Sequence, residues 1–361
     1  MVSLSDVQSS NAQIATTLPA GLVAVFVGAT NGIGEAALKE FARSARSPRA
    51  YFIGRSQEAA ARITAECRQL NPEGDFIFIK ADLSLIRNVD VVCRELQSKE
   101  SSINILFLSC GTIRSGEGGQ DILASQEKDV THDMRIDTSE GLHVMPAIQY
   151  YARTRLIANL LPNLKQATGL RRVVGVLAGS HEGPIDVTDF QAKKMSILKL
   201  RGHLVSMTDM ALETLADQAP EVTFIQDYPG PVKSGLNREA NTFLAWFIGF
   251  VLMIIGPLIY IPILESGERH LFFATSAKYP PRARSDAVEA SSGVPLSEGV
   301  EVASGTDGKV GSGVYSIHWS GEHAGPKVVN LLAGLREQGV KQKVWQHTVG
   351  EFDRIMEPAD V

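Results

Sequence analysis

The sequence predicts an α/β protein built on a doubly wound parallel sheet. Three observations support this prediction. Short apolar segments alternate with segments of helical periodicity between residues 22 and 227, a glycine-rich turn follows the first apolar segment, and 44% of the 361 residues are hydrophobic. Short, uninterrupted apolar runs are typical of strands buried on both faces, as in a parallel sheet that helices cover on each side.

The predicted elements follow one another at regular intervals. The expected strands are 22–28, 50–54, 75–80, 104–109, 172–178 and 222–227. Helical periodicity is clearest in 34–45 and 147–161, where apolar residues recur every three or four positions. Right-handed crossovers between such strands place helices on both faces of the sheet.

The chain divides into four predicted parts. Residues 1–20 are expected to be a loose leader, because they lack the basic start and apolar run of a signal peptide. Residues 21–232 form the core that holds the sheet, and residues 233–264 form a hydrophobic lid. Residues 265–361 form a C-terminal extension that completes the same domain, with a Ser- and Gly-rich surface loop at 285–313 and a helical tail at 327–355.

The composition excludes several classes of protein. A net charge of −5 without a basic stripe argues against a nucleic-acid partner. The three cysteines, Cys67, Cys93 and Cys110, are odd in number and lack the spacing of metal ligands, so neither a disulfide framework nor a metal site is expected. These features predict an intracellular protein, cytoplasmic or peripheral on an internal membrane.

The glycine-rich turn carries the strongest functional signal. It follows an apolar strand and opens a helix, so its glycines let the backbone approach a pyrophosphate while the free N–H groups of the helix receive the negative charge. A merely flexible turn is the alternative. The residues expected around the phosphates are Gly28, Thr30, Asn31, Gly32, Ile33 and Gly34.

The spacing Gly-x-x-x-Gly-x-Gly at 28–34 resembles that of the short-chain dehydrogenase/reductase superfamily, whose members have a Rossmann fold. The resemblance implies that Asp82 and Leu83, which follow the third strand, bind the adenine ring. An N-terminal helix cap is the alternative role for Asp82. It also implies that Gly111 borders the cofactor at the end of the fourth strand. The nicotinamide loop is then Tyr228-Pro229-Gly230-Pro231-Val232, with Pro229, Gly230 and Val232 as its binding residues.

The end of the second strand predicts NADP(H) as the cofactor. An acidic residue there would bind the ribose hydroxyls of NAD and repel the phosphate of NADP. The sequence has no carboxylate at this point and has Arg55, whose planar cation suits a phosphate. A solvated surface arginine is the alternative.

The catalytic pattern of the superfamily is missing. Its members usually carry Ser, Tyr and Lys, but here Leu177 or Ala178 stands at the serine position, with Ser180 two residues late. Two alignments of the Tyr-x-x-x-Lys motif are open, and they give Ile197 with Arg201 or Met195 with Lys199. Both lack the tyrosine. The helper asparagine, counted back from Leu160-Leu161-Pro162, falls at Gln149.

Three replacements are candidates for the missing proton donor. Lys199 or Arg201 would act as a cationic stabiliser, although both could belong to a solvated helix face. Tyr151 would act with Arg155, which is four residues later and could lower the pKa of the phenol. A core aromatic with a surface cation is the alternative for that pair. Ser180 would be a weak donor. Apart from these three, His203 is either an acid or base or a structural group whose ring nitrogens are hydrogen-bonded within the protein.

Several stretches resemble a divergent fungal branch of the superfamily that is found in secondary-metabolite biosynthesis. They are 139–142, 150–153, 202–203 with 206–208, 265–270 and 344–348. The resemblance implies an oxidoreductase acting on a hydrophobic polyketide- or terpenoid-like intermediate. A non-redox isomerase, cyclase or dehydratase and a catalytically silent binding protein remain open, as do the substrate and the oligomeric state.

Residues 243–264 form an uncharged stretch long enough to cross a bilayer as a helix. Pro257 and Pro262 interrupt its second half, and the chain after it must return to the same sheet, which argues against a crossing. We expect a hydrophobic lid that admits an apolar substrate and contacts a membrane surface. A buried core helix is the alternative.

Overall fold

The computed structural model describes residues 1–111, 137–232, 260–283 and 292–357. Within these residues seven parallel strands form one sheet in the order β3-β2-β1-β4-β5-β6-β7. The strands are β1 Val23–Val27, β2 Arg49–Gly54, β3 Asp75–Lys80, β4 Ile105–Leu108, β5 Arg172–Val176, β6 Thr223–Tyr228 and β7 Val314–His318. The order reverses between β1 and β4, as in a doubly wound Rossmann sheet. The predicted fold class is confirmed.

Helices cover both faces of the sheet. Those in the described ranges are α1 Leu4–Ala12, α2 Ile14–Thr17, α3 Gly32–Ser44, α4 Gln57–Leu70, α5 Ile86–Lys99, α6 Val144–Pro146, α7 Ala152–Gln166, α8 Ile197–Gln218, α9 Ile263–Thr275, α10 Pro326–Glu337 and α11 Val340–Met356. A π-helical turn, Ala147–Tyr151, joins α6 to α7. One apolar core lies between the sheet and α5, α7, α8 and α11, and the other lies between the sheet and α1, α3, α4 and α9.

The C-terminal part of the chain is built into the same sheet. Strand β7 pairs with β6, and α9 packs against α3 so closely that a Cβ added at Gly267 would lie 3.0 Å from the backbone of Ala36. Glycine therefore allows α9 to approach the helix that follows the glycine-rich turn.

The N-terminal segment is ordered, which corrects the expectation of a loose leader. Ser3 caps α1 by accepting a hydrogen bond from the backbone N–H of Asp6 at 3.1 Å, and the Asp6 carboxylate accepts one in return from the N–H of Ser3. Val7 and Ile14 are buried against the sheet's α3 and α9 side. The capping pair Ser-x-x-Asp is the sequence signal that predicts this helix.

The segment after α9 also differs from the prediction. The expected surface loop at 285–313 is described from residue 292, where Val294, Ala303 and Thr306 are buried. Strand β7 follows it and was not among the predicted strands. It is short, and Gly311 and Gly313 precede it with positive φ angles, so the local pattern indicated a loop.

Residues 243–259 of the uncharged stretch lie outside the described residues, and so does most of the expected lid. Its described end begins α9 after Pro262, where Ile263 and Leu264 are 36% and 68% exposed. Among the helices of the described ranges, none combines the length and the apolar character that a membrane crossing requires.

Candidate functional site

The glycine-rich turn lies at the carboxyl end of β1, beside the point where the strand order reverses. Gly28 and Gly32 have φ angles of +81° and +59°, a region that favours glycine. A Cβ at Gly28 would lie 2.6 Å from the backbone nitrogen of Cys110, and one at Gly34 would lie 2.8 Å from the carbonyl oxygen of Gly28. The cradle therefore requires glycines, and the N-terminus of α3 opens into it, which fits a pyrophosphate.

The other residues of the turn flank this cradle. Asn31 is the exposed N-cap residue of α3, and its side chain caps no backbone N–H. Thr30 packs over Gly54, where a Cβ would lie 2.4 Å from its methyl group. Ile33 is half-buried against the core of α3 and α4.

An open cleft of about 470 Å³ lies beyond the carboxyl ends of β2 and β3. Arg55 lines it from the end of β2, and its exposed guanidinium has no hydrogen bond or ion pair with the residues that the structure describes. Lys80 adds a second cation, and Asp82 and Glu95 add carboxylates. Arg55 therefore lies at the edge of the sheet where dinucleotides bind in doubly wound folds.

Asp82 forms a turn and does not cap α5. Its Oδ1 accepts a hydrogen bond from the backbone N–H of Ser84 at 3.0 Å, while the N-cap residue of α5 is Leu85. The helix N-terminus is satisfied instead by Glu140, whose carboxylate accepts from the backbone N–H of Ile86 at 2.5 Å and of Arg87 at 3.0 Å. The capping alternative was therefore wrong. Leu83 is buried in the core beside this turn.

A buried arginine joins the carboxyl ends of β4 and β5. Arg153 donates from Nε to the carbonyl of Cys110 at 3.1 Å and from Nη1 to the carbonyl of Val176 at 2.8 Å, and its Nη2 also contacts the Cys110 carbonyl. A Cβ at Gly111 or Gly175 would lie 3.9 Å from this guanidinium. Arg153 was not among the predicted site residues, although a charged residue on the apolar face of α7 is a signal that could have identified it.

The predicted pair of Tyr151 and Arg155 does not form. Arg155 donates to both carboxylate oxygens of Asp90, at 2.7 and 2.8 Å, because α5 brings that acid against α7. The hydroxyl of Tyr151 hydrogen-bonds Nε2 of His347 at 2.6 Å. Burial raises the pKa of Tyr151 well above its usual range and lowers the pKa of His347. The expectation of a lowered phenol pKa was wrong.

Ser180 lies in the loop after β5, in an αL-type conformation with φ of +67°. Its backbone N–H donates to Oγ of Ser316 at 2.8 Å and to Oε1 of Glu182 at 3.2 Å. Its own Oγ is buried, with no hydrogen-bond partner among the residues that the structure describes. This loop is held against β7 through its backbone.

Two carboxyl groups lie together beneath that loop. Oδ1 of Asp209 accepts from Nε2 of Gln226 at 2.8 Å, and the Glu182 carboxyl contacts Ser316 Oγ. Within the described ranges, Oδ2 of Asp209 and Oε2 of Glu182 have no donor. Burial first, and then the neighbouring Glu182 carboxyl, raise the pKa of Asp209 well above its usual range. Burial beside a second carboxyl thus favours the protonated form of Asp209.

Lys199 and Arg201 differ in their side-chain contacts. Both are exposed on α8, but only Arg201 has a recorded aromatic contact in the described part of the chain, with its guanidinium carbon 5.3 Å from the ring centroid of Tyr228. His203 is satisfied on both ring nitrogens, by the N–H of Asp186 at 3.2 Å and the carbonyl of Phe190 at 3.1 Å. Burial lowers its pKa, so it is a neutral structural group.

The loop after β6 folds back on the C-terminal part. Gly230 has a φ of +72°, and a Cβ there would lie 2.5 Å from Cδ1 of Ile261 and 3.0 Å from the ring of Trp319. Val232 bridges to Ile261, and Pro229 is half-buried before the turn. The loop predicted to bind nicotinamide therefore has one face against the residues just before α9 and just after β7.

Sequence comparison agrees with this geometry. A family model described as short chain dehydrogenase matches residues 22–148. An oxidoreductase of Emericella nidulans is 40% identical over 360 residues, which cover 99% of each chain. The oxidoreductase andH of Emericella variicolor is 34% identical over 362 residues, with 100% of this chain and 99% of the relative covered.

A solved structure shares the fold. L-sorbose reductase from Gluconobacter frateurii, complexed with NADPH and L-sorbose, has a TM-score of 0.52 at 14% identity over 72% of this chain and 92% of its own. The glycine cradle, the sheet order and the full-length fungal relatives lead to one conclusion. The chain belongs to the short-chain dehydrogenase/reductase superfamily, within a fungal branch of oxidoreductases.

Proposed function

We propose that the protein is an NADP(H)-dependent oxidoreductase that acts on a hydrophobic polyketide- or terpenoid-like intermediate of fungal secondary metabolism. The observation that carries the proposal is the glycine cradle at Gly28 and Gly34, where no side chain fits beside the N-terminus of α3. A bound nicotinamide cofactor would supply or accept a hydride. The chain's own residues would bind it, orient the substrate and hold the proton.

Cofactor choice rests on the cleft at the ends of β2 and β3. Arg55 and Lys80 line it, and Arg55 has no ion-pair partner in the described part of the chain. The Asp82 carboxylate in the same cleft is already turned toward the N–H of Ser84. A 2′-phosphate would therefore meet the Arg55 guanidinium as its partner, through a charge-assisted hydrogen bond.

The test compares the dissociation constants of NADPH and NADH. We expect tighter binding of NADPH, and we expect Arg55→Ala to weaken NADPH by about ten- to a hundredfold while leaving NADH nearly unchanged. Arg68→Ala, an exposed arginine on α4, serves as the matched control. Equal affinities of the unmodified protein for the two cofactors would contradict the assignment.

The hydrophobic substrate is supported by the surroundings of the loop after β6. Ile261 and Trp319 contact that loop, and the exposed Ile263 and Leu264 follow at the start of α9. An apolar carbonyl compound would gain free energy by burial against these side chains. Competition between apolar and sugar-like carbonyl compounds for the same reduction distinguishes this substrate class from a polar one.

A second candidate is a non-redox isomerisation, cyclisation or dehydration in the same pocket. It is favoured by the residues at the family's tyrosine position, Ile197 or Met195, and by the hydrogen bond that engages Tyr151 with His347. Product mass separates the candidates, because a redox reaction changes the substrate by two hydrogens, a dehydration removes one water, and an isomerisation or a cyclisation by rearrangement leaves the mass unchanged. A binding protein would change no substrate.

A further inference from the structure

The last residue of β6 faces the side of the sheet that carries α8. Asp227 points to the opposite side, where its Oδ2 lies 3.0 Å from Nε2 of His270 on α9. Gln226 points to α8 and bonds Asp209. Since successive side chains of a strand alternate between faces, Tyr228 lies on the α8 side with Gln226, at the carboxyl edge of the sheet.

Tyr228 is surrounded by basic side chains from three elements. The guanidinium carbon of Arg201 lies 5.3 Å from the centroid of its ring. The ring of His181, from the loop after β5, lies 4.4 Å away, and that of His318, at the end of β7, lies 5.6 Å away. A cation over an aromatic face is attracted to the ring, and a nearby positive charge also stabilises the negative charge that a phenol acquires when it donates its proton.

The other tyrosines of the chain are poorer candidates. Five of them are buried, with exposed fractions of 2% or less, and they are Tyr51, Tyr150, Tyr151, Tyr279 and Tyr315. Tyr260 is half-buried like Tyr228, but no arginine or lysine is recorded over its ring in the described part of the chain. Tyr228 combines access from solvent with a neighbouring cation.

We propose that Tyr228 is the proton donor of the reduction and that Arg201 is a positioning residue that stabilises the resulting phenolate. The inference rests on the proposed reductase function. As a hydride forms the new C–H bond at the substrate carbonyl carbon, the π electron pair moves to the carbonyl oxygen. That oxygen takes the proton from the Tyr228 hydroxyl, and the phenolate regains a proton from solvent.

The position of Tyr228 suits this role. It immediately precedes the turn at Pro229 and Gly230, and β6 is the direct neighbour of β5, whose end is bound by Arg153. Neighbouring strands are about 5 Å apart, so one small carbonyl group can lie within reach of both strand ends.

The first test uses the cofactor-free protein and needs no substrate. Tetranitromethane nitrates tyrosines that are accessible and readily ionised, and peptide mass spectrometry gives the ratio of nitration at Tyr228 to that at Tyr260. We expect Arg201→Gln to lower this ratio by about two- to fivefold, from the usual size of an exposed cation–π contact. Arg201→Lys should retain most of it, and Lys199→Gln, two residues away on the same helix, should leave it unchanged.

The second test measures turnover with NADPH and phenanthrenequinone, an apolar dicarbonyl probe. Tyr228→Phe should lower kcat by about a hundredfold or more while the dissociation constant of NADPH is retained. Arg201→Gln should lower kcat less, and Arg201→Lys should restore most of the loss. Tyr260→Phe is the matched control for removal of a half-buried hydroxyl.

The outcomes separate this inference from the function on which it rests. An unmodified protein that reduces the probe while Tyr228→Phe keeps kcat within a fewfold overturns the donor, and the reductase function stands. A protein that fails to bind NADPH overturns the reductase function, while the nitration ratio still decides whether Arg201 activates Tyr228. A ratio unchanged by Arg201→Gln overturns the pairing.

Discussion

The two parts of the sheet meet between β4 and β5, and they differ in what lies beyond their carboxyl ends. Beyond β1 to β3 are glycines, the N-terminus of α3 without a side-chain cap, and an open cleft. On the β5 to β7 side are polar and aromatic side chains in contact with one another, including Asp209 with Gln226, Glu182 with Ser316, and the rings around Tyr228. Cofactor recognition thus depends on the course of the backbone, whereas proton chemistry depends on side chains that several elements can supply.

The largest effect is expected where the two parts join. Arg153→Met would leave the buried carbonyl of Val176 and the half-buried carbonyl of Cys110 without this donor, at a cost of about 1 to 3 kcal/mol for the first and a smaller cost for the second. Urea unfolding measures the loss. Arg68→Met, on the exposed face of α4, should change stability by no more than about 0.5 kcal/mol. A similarly small loss for Arg153→Met would show that water replaces the guanidinium and that the strand ends are not joined through it.

A smaller effect should sharpen the role of the backbone on the cofactor side. Gly34→Val places a side chain 2.8 Å from the carbonyl of Gly28, so we expect destabilisation by about 1 to 3 kcal/mol and loss of measurable NADPH binding. Gly350→Ala, where a Cβ would meet nothing within 4 Å, should preserve binding and stabilise α11 by up to about 1 kcal/mol. Normal NADPH affinity in Gly34→Val would contradict the proposal that this glycine-rich turn binds the pyrophosphate of the cofactor.

The smallest effect concerns the carboxyl pair on the other side. The pKa of Asp209 is raised in the folded state, so its contribution to stability is fully present below the unfolded pKa and is lost as pH rises through the folded pKa. Asp209→Asn keeps the acceptor for Gln226 and cannot ionise. We expect its stability relative to the parent to increase with pH above the unfolded pKa of an aspartate, by at most about 1.4 kcal/mol per pH unit, until the folded pKa is reached. Thermal unfolding across pH measures this.

Asp217 provides a control of opposite sign for that experiment. Burial opposes the shift, but the hydrogen bonds of Lys341 and Arg282 lower its pKa in the folded state. Its contribution is therefore present at neutral pH and is lost as pH falls through the folded pKa. Asp217→Asn should lose stability at neutral pH and match the parent in acid. A pH dependence of the same sign in both variants would contradict the assignment for Asp209.

The contrast also explains what could be predicted from sequence. Strands β1 to β6 were predicted within about two residues of their ends, because each is a short apolar run that can be identified from the local sequence alone. Strand β7 was missed because its glycine-rich approach resembles a loop. The glycines of the turn were predicted to allow a close approach of the backbone. The short distances from a Cβ at Gly28 or Gly34 to neighbouring backbone atoms agree with that prediction.

Side-chain partners were much harder to predict. Arg155 bonds Asp90 across 65 positions of the chain, and Tyr151 bonds His347 across 196. Helical spacing correctly places Tyr151 and Arg155 one turn apart, but it carries no information on which neighbouring helix supplies a competing partner. For the same reason, the contacts of Arg153 and those around Tyr228 could not be predicted, since each set joins residues from separate strands, loops and helices.

The π-helical turn before α7 has a consequence for alignment within the family. The N–H of Ala152 donates to the carbonyl of Ala147, five residues earlier, so this turn holds one more residue than a regular helical turn. An inserted residue absorbed in this way changes the angular phase of everything before it by about 100° relative to the helix that follows. Periodicity counted back from Pro162 therefore holds only as far as Ala152, and the helix faces assigned to earlier residues, Gln149 included, shift by about 100°.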